Sequence, residues 1–316
     1  MSKIDIHYHI VPSIQRDVVA GRAWLPEWSI QSMLEHMETN ELSGLITSIT
    51  TPGIYFADKT TSSATATLAR ECNDFSANLM QQHRGKIGSF GILPLPYIDH
   101  ALTELTYCLD QLKLDGIILL TNYRKHYISD PYFAPLFEEL NKRKALVFLH
   151  PTDPVGSCSS CGSSNLAPSM VEFLADTTRT VTELVYSGFL EKYPDIKFIL
   201  SHGGGTIPYA ASRLAMFEVL KPELKEKAPQ GILYYLKKFY YDTALITGNH
   251  ILKCLFDFVP PQHILFGTDA PCVSPDGVSI EIQEINKFLQ SLPEQIREYV
   301  SYKTALMLTQ NLKHKA

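Results

Sequence analysis

Ala145-Leu-Val-Phe-Leu-His150 is a six-residue apolar run closed by a histidine. It is short for a helix and lacks the polar alternation of a strand with one face in water. It therefore predicts a strand buried on both faces. The pattern recurs on either side, as Asp115-Gly-Ile-Ile-Leu-Leu-Thr121 before it and Ile196-Lys-Phe-Ile-Leu-Ser-His202 after it. Helical spacing fills the intervals, over 133–143 and 169–193. Strands covered on both faces by crossover helices make a parallel sheet.

Working outward, strand patterns are expected over 3–9, 44–50 and 86–93 before this block, and over 239–244 and 263–269 after it. Helical patterns separate them, over 29–40, 62–83, 98–112, 207–220 and 231–237. Two further helices, over 278–289 and 293–312, close the chain. Eight strands alternating with helices predict an α/β chain folded as a (β/α)₈ TIM barrel, one domain over 1–316. The rival is a doubly wound open sheet, but no strand leads into G-x-G-x-x-G or a P-loop.

Composition bounds the function. Of 316 residues, 45% are hydrophobic and 19% charged, which supplies a large core and excludes a disordered chain. A net charge of −5 without a Lys/Arg block argues against nucleic-acid partners and anionic membranes. No apolar run approaches the ~18 residues of a membrane span. The first residues carry no apolar signal region, and six cysteines are too sparse for a disulfide framework. A cytoplasmic protein is expected. Cys158-Ser-Ser-Cys161 lacks the second pair of a structural zinc site and reads as a loop thiol pair, with a redox switch as the alternative.

The chemistry collects at strand ends. His7 and His9 close the first strand, His150 the fifth, His202 the sixth and Asp269 the eighth. In a parallel barrel these ends meet on one face, where active sites form. Residues i and i+2 of a strand share a side, so His7 and His9 can grip one ion. His150 and Asp269 complete a ligand set; a core histidine and a helix N-cap are the plain alternatives. His202, followed by Gly203, Gly204 and Gly205, reads as an acid/base or polarising group, or as a fourth imidazole ligand. The glycines are expected to let a ligand approach closely. Barrel hydrolases with two bridged ions often use a carbamylated lysine on strand four. The fourth strand here carries no lysine, so a single divalent ion is expected.

Together, His7-x-His9, the lone His150, His202-Gly-Gly-Gly and Gly267-Thr-Asp269 resemble the decarboxylase branch of the amidohydrolase superfamily. Arg70-Glu-Cys-Asn73-Asp74, Asp130-Pro-Tyr-Phe133 and Gly188-Phe-Leu-Glu-Lys-Tyr-Pro194 also look like family segments. The resemblance spans nearly the whole chain. It implies a carboxy-lyase with one Zn²⁺ or Mn²⁺ on His7, His9, His150 and Asp269, and with His202 and Asp269 in catalysis. Arg213, eleven residues after His202, matches an arginine lent across a dimer interface to a substrate carboxylate; a solvated helix charge is its alternative.

Departures narrow the substrate. Ser32-Met-Leu-Glu-His-Met37 lacks the arginines that bind a second carboxylate elsewhere in the branch. The stretches 24–28 and 51–56 are expected to line a site for a planar ring. The pattern is most similar to the 6-methylsalicylate decarboxylases, implying an aromatic carboxylate split to a phenol (3-methylphenol from 6-methylsalicylate) and CO₂ in a homodimer. Metal-dependent hydrolysis, for example of a lactone, another decarboxylation of the branch, and a non-catalytic scaffold are the competing functions.

Overall fold

The structure is a computed structural model that describes residues 2–20, 24–55, 61–124, 126–156 and 166–313. Cys158, Cys161 and Phe56 lie outside the described residues. The barrel strands are β1 (Lys3–Ile10), β2 (Leu42–Ile49), β3 (Ile87–Ile92), β4 (Gly116–Leu120), β5 (Leu146–His150), β6 (Lys197–Leu200), β7 (Tyr240–Asp242) and β8 (Ile264–Leu265). They pair in chain order, every ladder parallel.

The seam between β8 and β1 is closed mostly by residues beyond the β8 ladder. Ile6 N donates to Phe266 O at 3.0 Å, Asp269 N to His7 O at 2.8 Å, and His9 N to Ala270 O at 2.7 Å. These bonds fix the 266–270 stretch in register with β1, and so set Asp269 beside His7 and His9. Asp5 secures the same seam, accepting from His7 N at 2.9 Å and from the Thr268 hydroxyl at 2.6 Å.

The buried strands and the inner faces of the helices form one apolar cluster, from Ile4 and Ile6 through Phe148 and Ile199 to Phe266. Local chemistry sets the helix starts. Ser29 caps Ile30–Thr39 by accepting from Ser32 N, and Thr61 caps Ser62–Gln82 by accepting from Ala64 N. Asn73 locks the second of these helices to the end of β3, donating to Ile92 O at 2.9 Å and accepting from Ile92 N at 2.8 Å.

Several predicted boundaries move. The helix after β3 is regular over Ile98–Thr106 and widens into a π-turn at Tyr107–Gln111. The helix predicted over 169–193 runs from Glu172 to Tyr186 and stops where Gly188 takes a φ of 79°, before a short turn at Phe189–Lys192. The last helix divides at a π-turn, Tyr299–Lys303. Elements that were not expected include the ten-residue helix Asn249–Phe258 between β7 and β8, whose apolar spacing was passed over, a helix at Ser13–Val19 without a side-chain cap, and a hairpin pairing Asn122–Tyr123 with His126–Tyr127. The last two are too short for periodicity to report.

Candidate metal centre

His7 and His9 project from β1 into one buried space, Nε2 to Nε2 at 3.1 Å. His150 ends β5 with its ring centroid 5.2 Å from that of His7 and 4.9 Å from that of His9. Asp269 brings Oδ1 to 3.2 Å from His7 Nε2 and 3.0 Å from His9 Nε2. One ligand atom from each of the four residues lies within 4.8 Å of the others, and all four residues are buried.

The outward sides of the rings fix the inward chemistry. His7 Nδ1 is 2.6 Å from Asp242 Oδ2, and His150 Nδ1 is 2.8 Å from Pro151 O. Both partners only accept, so both Nδ1 atoms carry the proton. His9 Nδ1 pairs with Ser48 Oγ at 3.1 Å. The Nε2 atoms are thus turned towards the shared space, and His150 Nε2 and Asp269 Oδ1 have no hydrogen-bond partner there. Lone pairs crowded into one buried space are unfavourable unless a proton or a metal ion stands among them. The residues fit a divalent ion.

Electrostatics agree. Burial alone would pull His7 down, but the carboxylates of Asp242 and Asp269 outweigh it and raise the imidazole to about 10. Without a metal, a proton therefore sits on the ring nitrogen an ion would occupy. Burial lowers His9, and burial with the neighbouring imidazoles takes His150 well below the usual histidine range. Both are neutral donors. Burial opposes ionisation of Asp269, yet the charge of His7 and the hydrogen bond from His202 hold its carboxyl well below the usual range.

His202 lies beyond the end of β6, in a 3₁₀ turn, His202–Gly204. Its φ is 53° and that of Asp269 is 57°, left-handed backbone that costs a side-chain-bearing residue of order 1–3 kcal/mol. The strain aims His202 Nε2 at Asp269 Oδ2, 3.3 Å away. His202 belongs to the site but lies outside the four-residue group.

The glycines that follow it serve packing, which corrects the expectation that they admit a ligand. A Cβ on Gly204 would lie 2.6 Å from the Tyr241 ring, and one on Gly205 2.4 Å from Leu174 O. Both have positive φ. Gly267 is needed for a similar reason, since a Cβ there would meet His7 Cβ at 2.8 Å.

The group opens into a cavity of about 740 Å³ with His150, His202 and Asp269 among its lining residues. Trp24, Phe173, Met170, Leu245 and Val273 give it mainly apolar walls. Among the described residues of the two stretches, Trp24 alone of the aromatic side chains lines this cavity. Trp28 packs on Phe75 at the core, and Tyr55 lines a separate cavity of about 190 Å³. Aromatic residues so close to strand ends can turn either way, and only packing decides. Arg213 is exposed on the helix Ile207–Leu220, with its guanidinium 5.8 Å from the Phe217 ring, and does not line the cavity of its own chain.

Asp242 was missed. Its Oδ2 binds His7, while Oδ1 accepts from Gly203 N at 3.4 Å and Ala244 N at 3.2 Å. The signal was present: a carboxylate ending an apolar strand needs a partner, the same argument that picked out Asp269.

The chain is similar to known proteins along almost its entire length. It is 33% identical over 324 residues to the 6-methylsalicylic acid decarboxylase of Penicillium expansum, covering 99% of this chain and 98% of that one. A crystal structure of an amidohydrolase II superposes with a TM-score of 0.87 at 27% identity, over 97% of this chain and 99% of the other. A dihydroxybenzoic acid decarboxylase from Polaromonas sp. JS666, solved with bound manganese and 2-nitroresorcinol, shares the fold with a TM-score of 0.84 at 21% identity, over 97% and 96% of the two chains. The amidohydrolase family model itself matches residues 4–308, from the start of β1 to the last helical turn, and the chain belongs to that family.

Proposed function

We propose that this protein is a metal-dependent, non-oxidative decarboxylase of a small aromatic carboxylate of the salicylate type, such as 6-methylsalicylate, carried on a single barrel domain. The carrying observation is the set of unpartnered, buried ligand atoms opening into an apolar cavity large enough for a substituted ring. The decarboxylase relative that matches end to end supports the choice of reaction.

In this reading His7, His9, His150 and Asp269 hold one Zn²⁺ or Mn²⁺. When bound, the ion supplies Lewis-acid polarisation of the substrate's carboxylate and ortho oxygen. The chain's own residues do the rest. Trp24, Phe173 and Leu245 offer apolar surface against which the ring can pack. Loss of CO₂ directly from an aromatic ring would leave an aryl carbanion, so the proton must come first. The His202–Asp269 pair, joined at 3.3 Å, delivers it to the ring carbon that bears the carboxylate. The C–C bond then breaks, its electron pair restores the aromatic ring, and CO₂ departs.

We also propose a cytoplasmic homodimer in which Arg213 serves the partner's site. The helix Ile207–Leu220 is apolar on its outward side, with Tyr209 87% and Val219 72% exposed beside Met216 and Leu220. Such a surface is unusual for a solvated helix and suits burial against another copy. Among the described residues no helix is long and apolar enough to cross a membrane.

Incubation of the metal-loaded protein with carboxylated phenols, scoring CO₂ and the free phenol, tests the reaction. Ring-opened acid from lactones with no CO₂ from any salicylate would reassign the site to hydrolysis.

A further inference from the structure

The opposite end of the barrel holds a second polar cavity. Lys3 begins β1, four residues and roughly 13 Å along the strand from His7. It is 7% exposed, and its ammonium lies 5.6 Å from the centroid of the Phe266 ring. It lines a cavity of about 240 Å³ together with Arg297, Ser301, Asn286, Gln290 and the Glu41 carboxylate. A neighbouring cavity of about 200 Å³ again includes Lys3, Glu41 and Asn286. Arg297 Nε is buried without a hydrogen-bond partner. Among the described residues neither Lys3 nor Arg297 has an ion-pair partner.

Two cations lining one cavity without an ion pair, one of them with a buried and unsatisfied N–H, are costly. Burial already pulls Lys3 below the ordinary lysine range, against the pull of Glu41. An anion in the cavity removes the conflict. The donors come from several directions: an ammonium, a guanidinium, the Ser301 hydroxyl and two carboxamides. Glu41 is the one carboxylate at the rim and can only accept. A bare halide or a fully ionised oxyanion would face Glu41 unfavourably. An oxyanion that keeps one O–H satisfies both halves of the site.

We propose that this cavity binds a small hydroxylated oxyanion, of the hydrogenphosphate or bicarbonate kind, whose oxygens accept from Lys3, Arg297 and Ser301 and whose hydroxyl donates to Glu41. The bound anion ties the start of β1 to the helix Pro275–Gln290 and the π-turn Tyr299–Lys303, which supply the other walls. The site is independent of the reaction assigned to the metal end.

The test uses the metal-loaded protein, with inorganic phosphate and bicarbonate titrated separately at constant ionic strength. Calorimetry should give one site per chain for at least one of them, with a saturable rise in Tm. Comparing the two titrations identifies the anion. Lys3→Met and Arg297→Gln should each weaken binding about tenfold or more, the scale of one charge-assisted contact. Lys3→Arg should retain it, and turnover without the anion should be unchanged in all three. If Lys3→Met fails to fold, the half-buried Arg297 decides. Absence of saturable binding by either anion overturns the proposal. So does binding that survives both Lys3→Met and Arg297→Gln; competition with substrate would then place that anion at the metal end.

Discussion

Replacing Asp242 by asparagine isolates what its charge does for His7. The carboxylate accepts three donors: His7 Nδ1 on Oδ2 at 2.6 Å, and Gly203 N and Ala244 N on Oδ1 at 3.4 and 3.2 Å. Asparagine has the same shape but only one oxygen. Whichever way its amide turns, an NH₂ faces either the His7 N–H or the two backbone N–H groups. A buried donor left facing a donor costs ~1–3 kcal/mol, and His7 also loses the charge that raises its basicity. Outer partners of a ligating histidine typically contribute 10–100-fold in metal affinity, about 1.4–2.7 kcal/mol. Asp242→Asn should therefore weaken metal binding by that factor, measured by competition with a chromophoric chelator.

Proton linkage gives a second reading of the same variant. In the metal-free wild type His7 is raised to about 10, so an entering ion must displace a proton, and affinity climbs with pH up to that value. Without the Asp242 charge the His7 pKa falls and this climb ends at lower pH. Unchanged affinity together with an unchanged pH slope, in a variant whose Tm shows it folded, would refute the idea that Asp242 tunes His7.

His150→Ala should drop the metal content of purified protein to well below one ion per chain by elemental analysis, whereas full occupancy would remove His150 from the ligand set. His202→Asn should keep the metal but lose on the order of 10²–10⁴-fold in rate, the scale of a lost proton-transfer group; metal loss in step with activity would make His202 a ligand. Arg213→Ala chains mixed with His150→Ala chains should regain activity at one of the two sites of each mixed dimer. No recovery would place Arg213 outside the partner's site. Glu281 is 3% exposed, with Oε1 accepting from Leu245 N at 2.6 Å and Oε2 unpartnered, and burial raises its carboxyl from 4.5 to about 8. The folded chain then binds more protons than the unfolded one between these values, so wild-type stability falls as pH rises across that window. Glu281→Gln should lose this slope, and its Tm relative to wild type should climb through the window. A constant Tm difference would show that Glu281 does not titrate on folding.

Much of the site was legible because the barrel places strand ends together whatever the details of its loops. Once residues 145–150 and their counterparts are recognised as strands buried on both faces, His7, His9, His150 and Asp269 must converge. Where the strand ladder stops, legibility stops too. His202 and Asp269 both leave extended geometry for left-handed backbone, and periodicity does not report a single residue turning. The glycines after His202 were misread because their purpose is set by Tyr241 and Leu174, which come from other parts of the chain.

The sequence by itself determined the architecture, the identity of the four ligand candidates and the class of ion they suit. These depend on hydrophobic period, strand order and donor chemistry, all local or topological properties. Only the tertiary structure decided which way each ring nitrogen faces, that Asp242 stands behind His7, that Trp24 rather than Trp28 or Tyr55 faces the cavity, and that Lys3 and Arg297 line one cavity at the far end. Those outcomes turn on contacts between residues tens to hundreds of positions apart. The energy of such a contact depends on distance and orientation in space, which side-chain order along a chain does not encode.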